Sequence, residues 1–268
     1  MRRFFIPSHS LSGDNPVITG DDAGHIRNVI RLKIGDEIEL IDGTGLECDA
    51  RIVRISAGKV EVSILRRRLS EFQSTPRLII AQAVLKDNKP DVIIRQITEL
   101  GIHEWVPFVA HRSVPVLTAE RIRTRKDRWE KIAIEALKQC RRSNLLKISD
   151  LLSYDAMLTY GRNCDIKLIF WEDESPSRPF ELPASNASSV QSVMAIIGPE
   201  GGFTPDEIAA ARACGYTTVS LGLRILKADT ATLAVSTLLQ YGYGDMRHPK
   251  PPPPDKSEPT LPFQTDNQ

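Results

Sequence analysis

The sequence predicts an α/β protein of two domains, the first rich in β-strands and the second built from alternating strands and helices. Three observations predict this arrangement. Short apolar strands and tight glycine turns fill roughly the first seventy residues, a polar stretch follows from Ser70 to Pro76, and the pattern then changes to strand, helix, strand. A proline-rich segment ends the chain and should be disordered or extended. We therefore place the domains at residues 1–72 and 73–244, with a tail at 245–268.

The first domain is expected to be a small β-barrel with one helix. Turn residues at Asp42–Gly45 and Ser56–Gly58 supply the positive-φ positions of hairpins. Asp21 or Asp22 can cap the helix, whose apolar face would be Ile26, Val29 and Ile30. The predicted strands are Arg3–Pro7, Glu37–Ile41, Glu47–Ile55 and Lys59–Leu65.

The second domain is expected to contain a parallel sheet with right-handed crossovers, because its strands alternate with helices. Apolar residues recur at three and four along a long helix that begins near Thr118 and continues to Cys140. The other predicted helices are 91–100, 204–213 and 230–241, and the predicted strands are 78–84, 105–110, 166–171, 193–197 and 218–221.

Charge is balanced over the whole chain but uneven along it. The net charge is +1, from 35 basic and 34 acidic residues. The stretch from Arg51 to Arg68 contains six Lys/Arg and one acidic residue, and the stretch from Arg121 to Arg142 contains nine Lys/Arg and three acidic residues. Local basic faces can bind phosphate even when the sum cancels, because screening confines each field to about 10 Å. A solvated helix surface is the alternative for the second stretch.

Composition also limits the kinds of site and the location. The four cysteines and five histidines are scattered, so we expect neither a metal site nor a disulfide framework. No apolar run reaches membrane-spanning length and no leader pattern is present, so we expect a cytoplasmic protein with no membrane partner.

The most informative stretch is a glycine turn between a strand and a helix, Ile196-Ile197-Gly198-Pro199-Glu200-Gly201-Gly202-Phe203-Thr204-Pro205-Asp206-Glu207. Thr204, Pro205 and Glu207 form the signature of a capped helix start. The glycines would let a ligand approach the backbone closely. No P-loop or Gly-x-Gly-x-x-Gly motif is present, so ATP and NAD are poorly supported. A tight turn without a ligand remains the alternative.

A second loop, Leu221-Gly222-Leu223-Arg224-Ile225-Leu226-Lys227-Ala228-Asp229, again places glycine between a strand and a helix. Gly-Pro-Glu-Gly-Gly-Phe followed by Leu-Gly-x-Arg-Ile-Leu resembles the C-terminal signature of the RsmE family of the SPOUT class. Further positions look like this family over residues 2 to 244, among them Arg3-Phe4-Phe5, His25-Ile26-x-x-Val29-x-Arg31, Gln96-x-x-Glu99-Leu100-Gly101, Arg112-Ser113 and Trp129-x-Lys131-Ile132-Ala133.

The resemblance implies a PUA-like β-barrel that holds RNA, then a SPOUT methyltransferase domain with a C-terminal trefoil knot. It also implies S-adenosyl-L-methionine as cofactor, a homodimer, and methylation of N3 of a uridine in 16S rRNA or the assembled small subunit. The implied RNA contacts are Arg3, His25, Arg27, Arg31, Arg112 and Arg142. The implied cofactor pocket is lined by Phe170, Trp171, Glu172, Ile197, Gly198, Pro199, Glu200, Gly201, Gly202, Leu221, Gly222, Ile225 and Leu226.

The chemistry of the acceptor suggests catalytic groups. Uridine N3 is a weak nucleophile until its proton leaves, so a cation near O2 or O4 would favour the anionic imide. Arg224 is the first candidate, with Arg3 and Lys227 as supporting cations, and Asp229 could accept the proton or orient an arginine. A structural salt bridge is the alternative for each cation.

Four positions depart from the pattern that family members often show. This chain has Leu223 for Pro, Lys227 for Arg, Ala228 for Thr and Asp229 for Glu. The charges persist, but lysine lacks the bidentate fork of arginine. Two other functions therefore stay open: a SPOUT enzyme with another RNA target, and a non-catalytic RNA-binding protein of ribosome assembly.

Overall fold

The computed structural model describes residues 2–11, 13–70, 76–114, 119–173 and 190–247. It divides into two compact units, an N-terminal unit of residues 2–42 and 46–69, and a C-terminal unit of residues 43–45 and 70–247. The expected helix cap at Thr118, most of the polar boundary stretch and the tail beyond 247 lie outside the described residues. Asp245–Arg247, the first residues assigned to the tail, form one 3₁₀ turn.

The N-terminal unit is built on a five-stranded sheet in the order β1-β3-β4-β5-β2. The β1–β3 pair is parallel and the other pairs are antiparallel. Alternate residues such as Ile38, Leu40, Val60 and Val62 point into a fully buried core, as expected for a sheet with one covered face. The strands are β1 (Arg2–Phe5), β2 (Val17–Thr19), β3 (Glu37–Ile41), β4 (Leu46–Ser56) and β5 (Lys59–Leu69).

The helix of the N-terminal unit differs from the prediction. It begins as α1 (Gly20–Gly24), preceded by Thr19, and continues as a π-helix over His25–Ile30. Asp21 and Asp22 lie in its first turn, so neither is the cap. A π-helix, with hydrogen bonds between residues i and i+5, has more residues per turn than an α-helix, so the rotation about the helix axis per residue is smaller. Val29 therefore leaves the apolar face that begins at buried Ile26 and is 67% exposed.

The C-terminal unit contains a seven-stranded sheet in the order β12-β10-β11-β6-β7-β8, with β9 also paired to β7. Every strand pair in it is parallel, which confirms the α/β class. The strands are β6 (Arg77–Ala83), β7 (Glu104–Val109), β8 (Lys147–Ile148), β9 (Leu152–Ser153), β10 (Ile166–Phe170), β11 (Ser192–Ile197) and β12 (Thr217–Val219).

Helices cover both faces of this sheet, so its central strands are buried throughout. Odd and even residues of β11 belong to two separate cores, Val193 and Ala195 to one and Met194 and Ile196 to the other. Trp129 of α3 meets Trp105 of β7 edge to face at 4.9 Å, an arrangement that aromatic rings favour. The helices are α2 (Lys89–Glu99), α3 (Ala119–Cys140), α4 (Tyr154–Tyr160), α5 (Pro205–Ala213) and α6 (Ala228–Tyr243). No helix in the described ranges is both long enough and apolar enough to cross a membrane.

A buried carboxylate joins several elements at the amino edge of the parallel sheet. Glu104 is fully buried and accepts hydrogen bonds from Tyr160 at 2.5 Å, Ser149 at 2.6 Å and Lys147 at 2.8 Å. Arg77 also pairs with it. Burial alone would raise the pKa of Glu104, but these donors outweigh burial and lower it below its ordinary value of 4.5. The charged form is therefore the stabilising one.

Replacing this carboxylate by an amide should destabilise the fold. Glu104→Gln loses charge-assisted bonds, but Arg77 and Lys147 are about half exposed and can return to water. We expect a loss of about 2–3 kcal/mol in the free energy of unfolding by urea at neutral pH. Because the folded-state pKa is lowered, the stabilisation is complete above pH 4.5 and is lost as pH falls through that lowered pKa.

Asp150→Asn is the matched control for the Glu104 variant. Asp150 pairs with Lys126 but its side chain is 84% exposed, so its loss should cost under about 1 kcal/mol. Equal losses in both variants, or a Glu104 effect that persists unchanged below the ordinary glutamate range, would contradict the stabilising role of Glu104.

Candidate active site

A cavity of about 480 Å³ lies at the carboxyl edge of the parallel sheet. It is formed where β12, β10 and β11 end side by side, which is the edge at which α/β sheets bind ligands. Its volume falls in the range of small-molecule sites, about 300–1,000 Å³. It is lined by residues 170–172, 197–200, 202, 220–229 and 231, together with Lys89.

The structure brings the two predicted glycine loops together in this cavity. Twelve of the thirteen predicted cofactor residues line it, together with Arg224, Lys227 and Asp229. Gly201 is the exception, because it is not among the lining residues. The twelve are Phe170, Trp171, Glu172, Ile197, Gly198, Pro199, Glu200, Gly202, Leu221, Gly222, Ile225 and Leu226.

The capped helix start beside the first loop is confirmed. The Thr204 side chain accepts from the backbone N–H of Glu207, and the Glu207 carboxylate accepts from the backbone N–H of Thr204. Pro205 occupies the first turn. Glu207 also accepts from the His111 backbone at 2.8 Å. The helix α5 and the turn before it are thus fixed to the loop that follows β7.

The glycines of the first loop are needed for reasons other than close approach of a ligand. A Cβ on Gly198 would lie 3.0 Å from the Phe203 ring, and one on Gly201 would lie 3.1 Å from Arg112. A Cβ on Gly202 would meet the Glu172 carboxylate at 1.9 Å. Protein side chains therefore fill the space that these glycines leave.

Gly222 in the second loop is different. Its φ is +97° and nothing lies within 4 Å of the position of a Cβ. A positive φ of this size is easy only for glycine. Leu223 and Ile225 beside it are 88% and 84% exposed, so the leucine that replaces the family's proline does not fill the cavity.

An ion pair joins two of the loops around the cavity. Lys89 Nζ at the start of α2 donates to Glu200 Oε1 at 2.8 Å, and the Lys86 backbone donates to the same oxygen. The hydrogen bond to Glu200 raises the pKa of Lys89. Burial opposes ionisation of Glu200, but the Lys89 bond and the backbone donors outweigh it and lower its pKa.

Two buried polar atoms in the cavity residues make no hydrogen bond within the described part of the chain. They are Trp171 Nε1, a donor, and Asp229 Oδ1, an acceptor. Buried polar groups in proteins are normally satisfied. Both atoms belong to residues that line the cavity, although the atoms themselves are closed to solvent.

Arg224 carries the charge that the cavity leaves without a partner. Its side chain is exposed, and no hydrogen bond or ion pair links it to another described residue. Lys227 is likewise exposed and precedes α6. Both cations are therefore available to a substrate at the cavity mouth.

Arg3 is placed in a structural network of the N-terminal unit. Its guanidinium pairs with Glu39 at 2.9 Å and with Glu47 at 2.8 Å, and its side chain is 8% exposed. Arg68 pairs with the same two glutamates and with Asp49. The structural salt bridge, which was the alternative for Arg3, therefore describes it here.

The six residues expected to contact RNA fall into two groups. His25, Arg27 and Arg31 are exposed on the N-terminal unit. Arg112 is exposed and donates to the Gly201 carbonyl at 3.0 Å. The guanidinium groups of Arg3 and Arg142 form the second group, because both bond to other residues of the protein.

Arg142 caps the end of α2 from inside the C-terminal unit. Its Nη1 donates to the Thr98 carbonyl at 3.3 Å and to the Ile102 carbonyl at 2.5 Å. Burial lowers its pKa to about 10. Nη1 is therefore used by backbone carbonyls, and the expected RNA contact of Arg142 stays a prediction.

Much of the local basic charge in the sequence is neutralised in the structure. In the first basic stretch, Arg51, Arg54, Arg67 and Arg68 each pair with a carboxylate. In the second, the paired residues are Lys126, Arg128 and Lys138. Neither stretch is therefore an unpaired basic face over its whole length.

Several cavity residues were not predicted from the sequence. Lys89 comes from the helix that follows β6, a strand whose carboxyl end also lies at this edge. The rule that ligands bind at the carboxyl ends of parallel strands could therefore have found Lys89. Ser220, Leu223, Ala228 and Ala231 continue the second loop into α6. No group of three or more potential metal ligands occurs in the ranges that the structure describes.

Comparison with known proteins assigns both units. The family described as RNA methyltransferase domain matches residues 73–240, and the RNA methyltransferase PUA domain family matches residues 18–65. The chain is 30% identical over 227 residues to ribosomal RNA small subunit methyltransferase E of Bacillus subtilis, covering 84% of this chain and 89% of that protein. It is 31% identical over 218 residues to the Synechocystis protein of the same name, covering 80% and 69%.

A solved structure agrees with these relationships. The crystal structure of a ribosomal RNA small subunit methyltransferase E from Neisseria gonorrhoeae bound to S-adenosyl methionine matches with a TM-score of 0.80 and 27% identity, covering 92% of this chain and 99% of that one. The alignments cover at least two thirds of the length of these relatives, and the family match extends across the unit that contains the cavity. This chain therefore belongs to the RNA methyltransferase family, alongside the ribosomal RNA small subunit methyltransferase E proteins.

Proposed function

We propose that this protein transfers a methyl group from S-adenosyl-L-methionine to N3 of a uridine in 16S rRNA of the small ribosomal subunit. The observation that carries the proposal is the cavity in which both glycine loops meet, with Arg224 exposed at its edge. Family membership supports the reaction class, and the relatives named above act on small-subunit ribosomal RNA by name.

The cavity residues fit the cofactor chemically. Phe170, Leu221 and Leu226 offer apolar surface for a planar base, and the backbone of both loops offers donors and acceptors. Carboxylates at Glu172, Glu200 and Asp229 suit a cationic ligand. When bound, S-adenosyl-L-methionine supplies an electrophilic methyl group on a sulfonium.

Arg224 is proposed to stabilise the acceptor base. Loss of the N3 proton leaves negative charge on the imide, shared with O2 and O4. A guanidinium near either oxygen would favour that anion, and Arg224 has no carboxylate partner in the described residues that would compete for its charge. Lys227 would add a second positive charge without the bidentate geometry of arginine.

Asp229 is proposed either to accept the N3 proton or to orient Arg224. It lies in the first turn of α6 and has one buried oxygen without a partner. The acceptor role needs that carboxylate within about 3 Å of N3 or of an intervening water.

The proposed RNA contacts are the exposed residues His25, Arg27 and Arg31, with Arg112 near the first loop. Residues 1–72 would hold RNA as a PUA-like barrel and residues 73–244 would carry the reaction. We also propose a trefoil knot in the second of these, a homodimer, and a cytoplasmic location, all implied by the family resemblance.

Gly222→Ala should weaken binding of S-adenosyl-L-methionine by about tenfold or more in calorimetry. An L-residue at φ +97° strains the loop or shifts it. Gly58→Ala is the matched control, since Gly58 has φ +76°, has open space around its Cβ position and is not a cavity residue. The control should lose some stability and keep its affinity. Unchanged affinity in Gly222→Ala would remove the second loop from the site.

Reverse transcription of small-subunit rRNA tests the reaction, because N3 methylation blocks base pairing. We expect a reverse-transcription stop in rRNA treated with the protein and S-adenosyl-L-methionine together. No stop is expected when the protein or S-adenosyl-L-methionine is omitted. Binding of the cofactor with no stop would point to another RNA target. No cofactor binding would favour a non-catalytic RNA-binding protein.

Arg224→Ala should lower the rate of methyl transfer by about 100-fold or more while cofactor affinity changes little, since the charge acts on the acceptor base. Arg95→Ala removes an equally exposed arginine of α2 that is not a cavity residue, and it should retain transfer. An active Arg224→Ala enzyme would exclude Arg224 from the mechanism.

A further inference from the structure

A buried glutamine lies behind the cavity and is hydrogen-bonded to two of its walls. Gln82, in β6, is 1% exposed and is not itself a lining residue. Its Nε2 donates to the Gly198 carbonyl at 3.1 Å and to the Ile197 carbonyl at 3.4 Å. Its Oε1 accepts from the Thr232 hydroxyl of α6. The one side chain therefore spans from the first glycine loop to the helix that follows the second.

Thr232 continues this connection to the other wall. It is fully buried, and its hydroxyl also lies 2.8 Å from the Ala228 carbonyl, so its single proton is shared between two acceptors. Ala228 and Gly198 both line the cavity. Gly198, Gln82, Thr232 and Ala228 thus form a continuous polar chain behind the site.

The orientation of the Gln82 amide is determined by its neighbours. Nε2 faces three carbonyl oxygens, those of Ala83, Ile197 and Gly198. Rotating the amide by half a turn would place Oε1 against all three carbonyl oxygens and remove these three hydrogen bonds. The amide can therefore satisfy this environment in one orientation only, which makes the link between the walls directional.

A purely structural role would not require this chemistry. An apolar side chain of similar size could fill the position, and buried polar networks cost desolvation unless every member is satisfied. The network gives instead a defined spacing between backbone groups of two loops. Such spacing matters where both loops must contact one ligand, since small displacements of positioning groups are costly.

We propose that Gln82 and Thr232 are positioning residues, which set the spacing of the Gly198 loop and the start of α6 so that both contact one cofactor. The inference rests on the proposed function, because it assigns the two residues to the cofactor cavity. Neither residue touches the ligand, and both act through the backbone of Gly198 and Ala228.

Thr232→Val is the central variant, because it keeps the shape of threonine and removes the hydroxyl. Thr232→Ser keeps the hydroxyl and should rescue the function. Ser236→Ala is the matched control: Ser236 is equally buried on α6, and its hydroxyl donates to the Thr232 carbonyl at 2.7 Å within the helix and to no other residue in the described ranges. Gln82→Met tests the other end of the link.

Three measurements on the full chain separate positioning from stability. Calorimetry gives affinity for S-adenosyl-L-methionine, thermal unfolding gives stability without it, and amide hydrogen exchange of the cofactor-free protein reports on residues 197–202. We expect Thr232→Val and Gln82→Met to bind about tenfold more weakly and to exchange faster over 197–202. Thr232→Ser and Ser236→Ala should stay within about threefold of the parent affinity.

Several results would overturn the inference. Parent-like affinity in Thr232→Val and Gln82→Met would do so, as would an equal loss in Ser236→Ala, since that would show a general effect of buried hydroxyls on α6. Failure of the parent protein to bind S-adenosyl-L-methionine would instead remove the proposed function, and this inference with it. The two failures are distinguishable because the first appears only in the variants.

Discussion

The parallel pairing of β12 with β10, and of β10 with β11, is the constraint on which the site depends. Parallel strands all end at the same edge, so three neighbouring strands deliver three loops to one place. In this order β12, which follows β11 in sequence, pairs with the edge of β10 that is opposite to β11. Cores on both faces hold these strands in register. The cavity is thus a consequence of topology, and its loops need only the right length and turn chemistry.

Several charged groups of this protein are bonded within the fold. Arg3 and Arg68 share Glu39 and Glu47, Arg142 bonds to backbone carbonyls, and Glu104 collects four donors. A list of basic residues therefore overstates the positive surface available to RNA. Arg224 differs from these groups because it lines the cavity, is exposed, and meets no carboxylate among the residues described. For a cation that must stabilise a transient anion, the lack of a resident partner matters more than the local sum of charge.

The sequence predicted the features with strong local signals. The long strands, the capping box of α5 and the two glycine loops each depend on neighbouring residues, and the structure places both loops at one cavity. The strands β2, β8 and β9 have two or three residues, too few for a period to be visible. The contribution of Gln82 depends on which strands are neighbours, and local pattern does not contain that information. The glycines of the first loop were predicted for close approach of a ligand, which stays a prediction, and the structure adds that protein side chains pack against them.

The four departures from the family pattern differ in what they can change. Leu223 is 88% exposed and leaves the cavity open. At the next two positions the backbone makes the contacts that build the site: the Lys227 carbonyl accepts from Ala231 at 2.8 Å, and the Ala228 carbonyl lies at the same distance from the Thr232 hydroxyl. Those contacts do not depend on the side chain. Asp229 is the exception, because one of its own side-chain oxygens is buried and makes no hydrogen bond within the described residues. An aspartate is one methylene shorter than the glutamate that the family resemblance implies here, so of the four departures Asp229 is the one that changes the reach of a side chain in the proposed site.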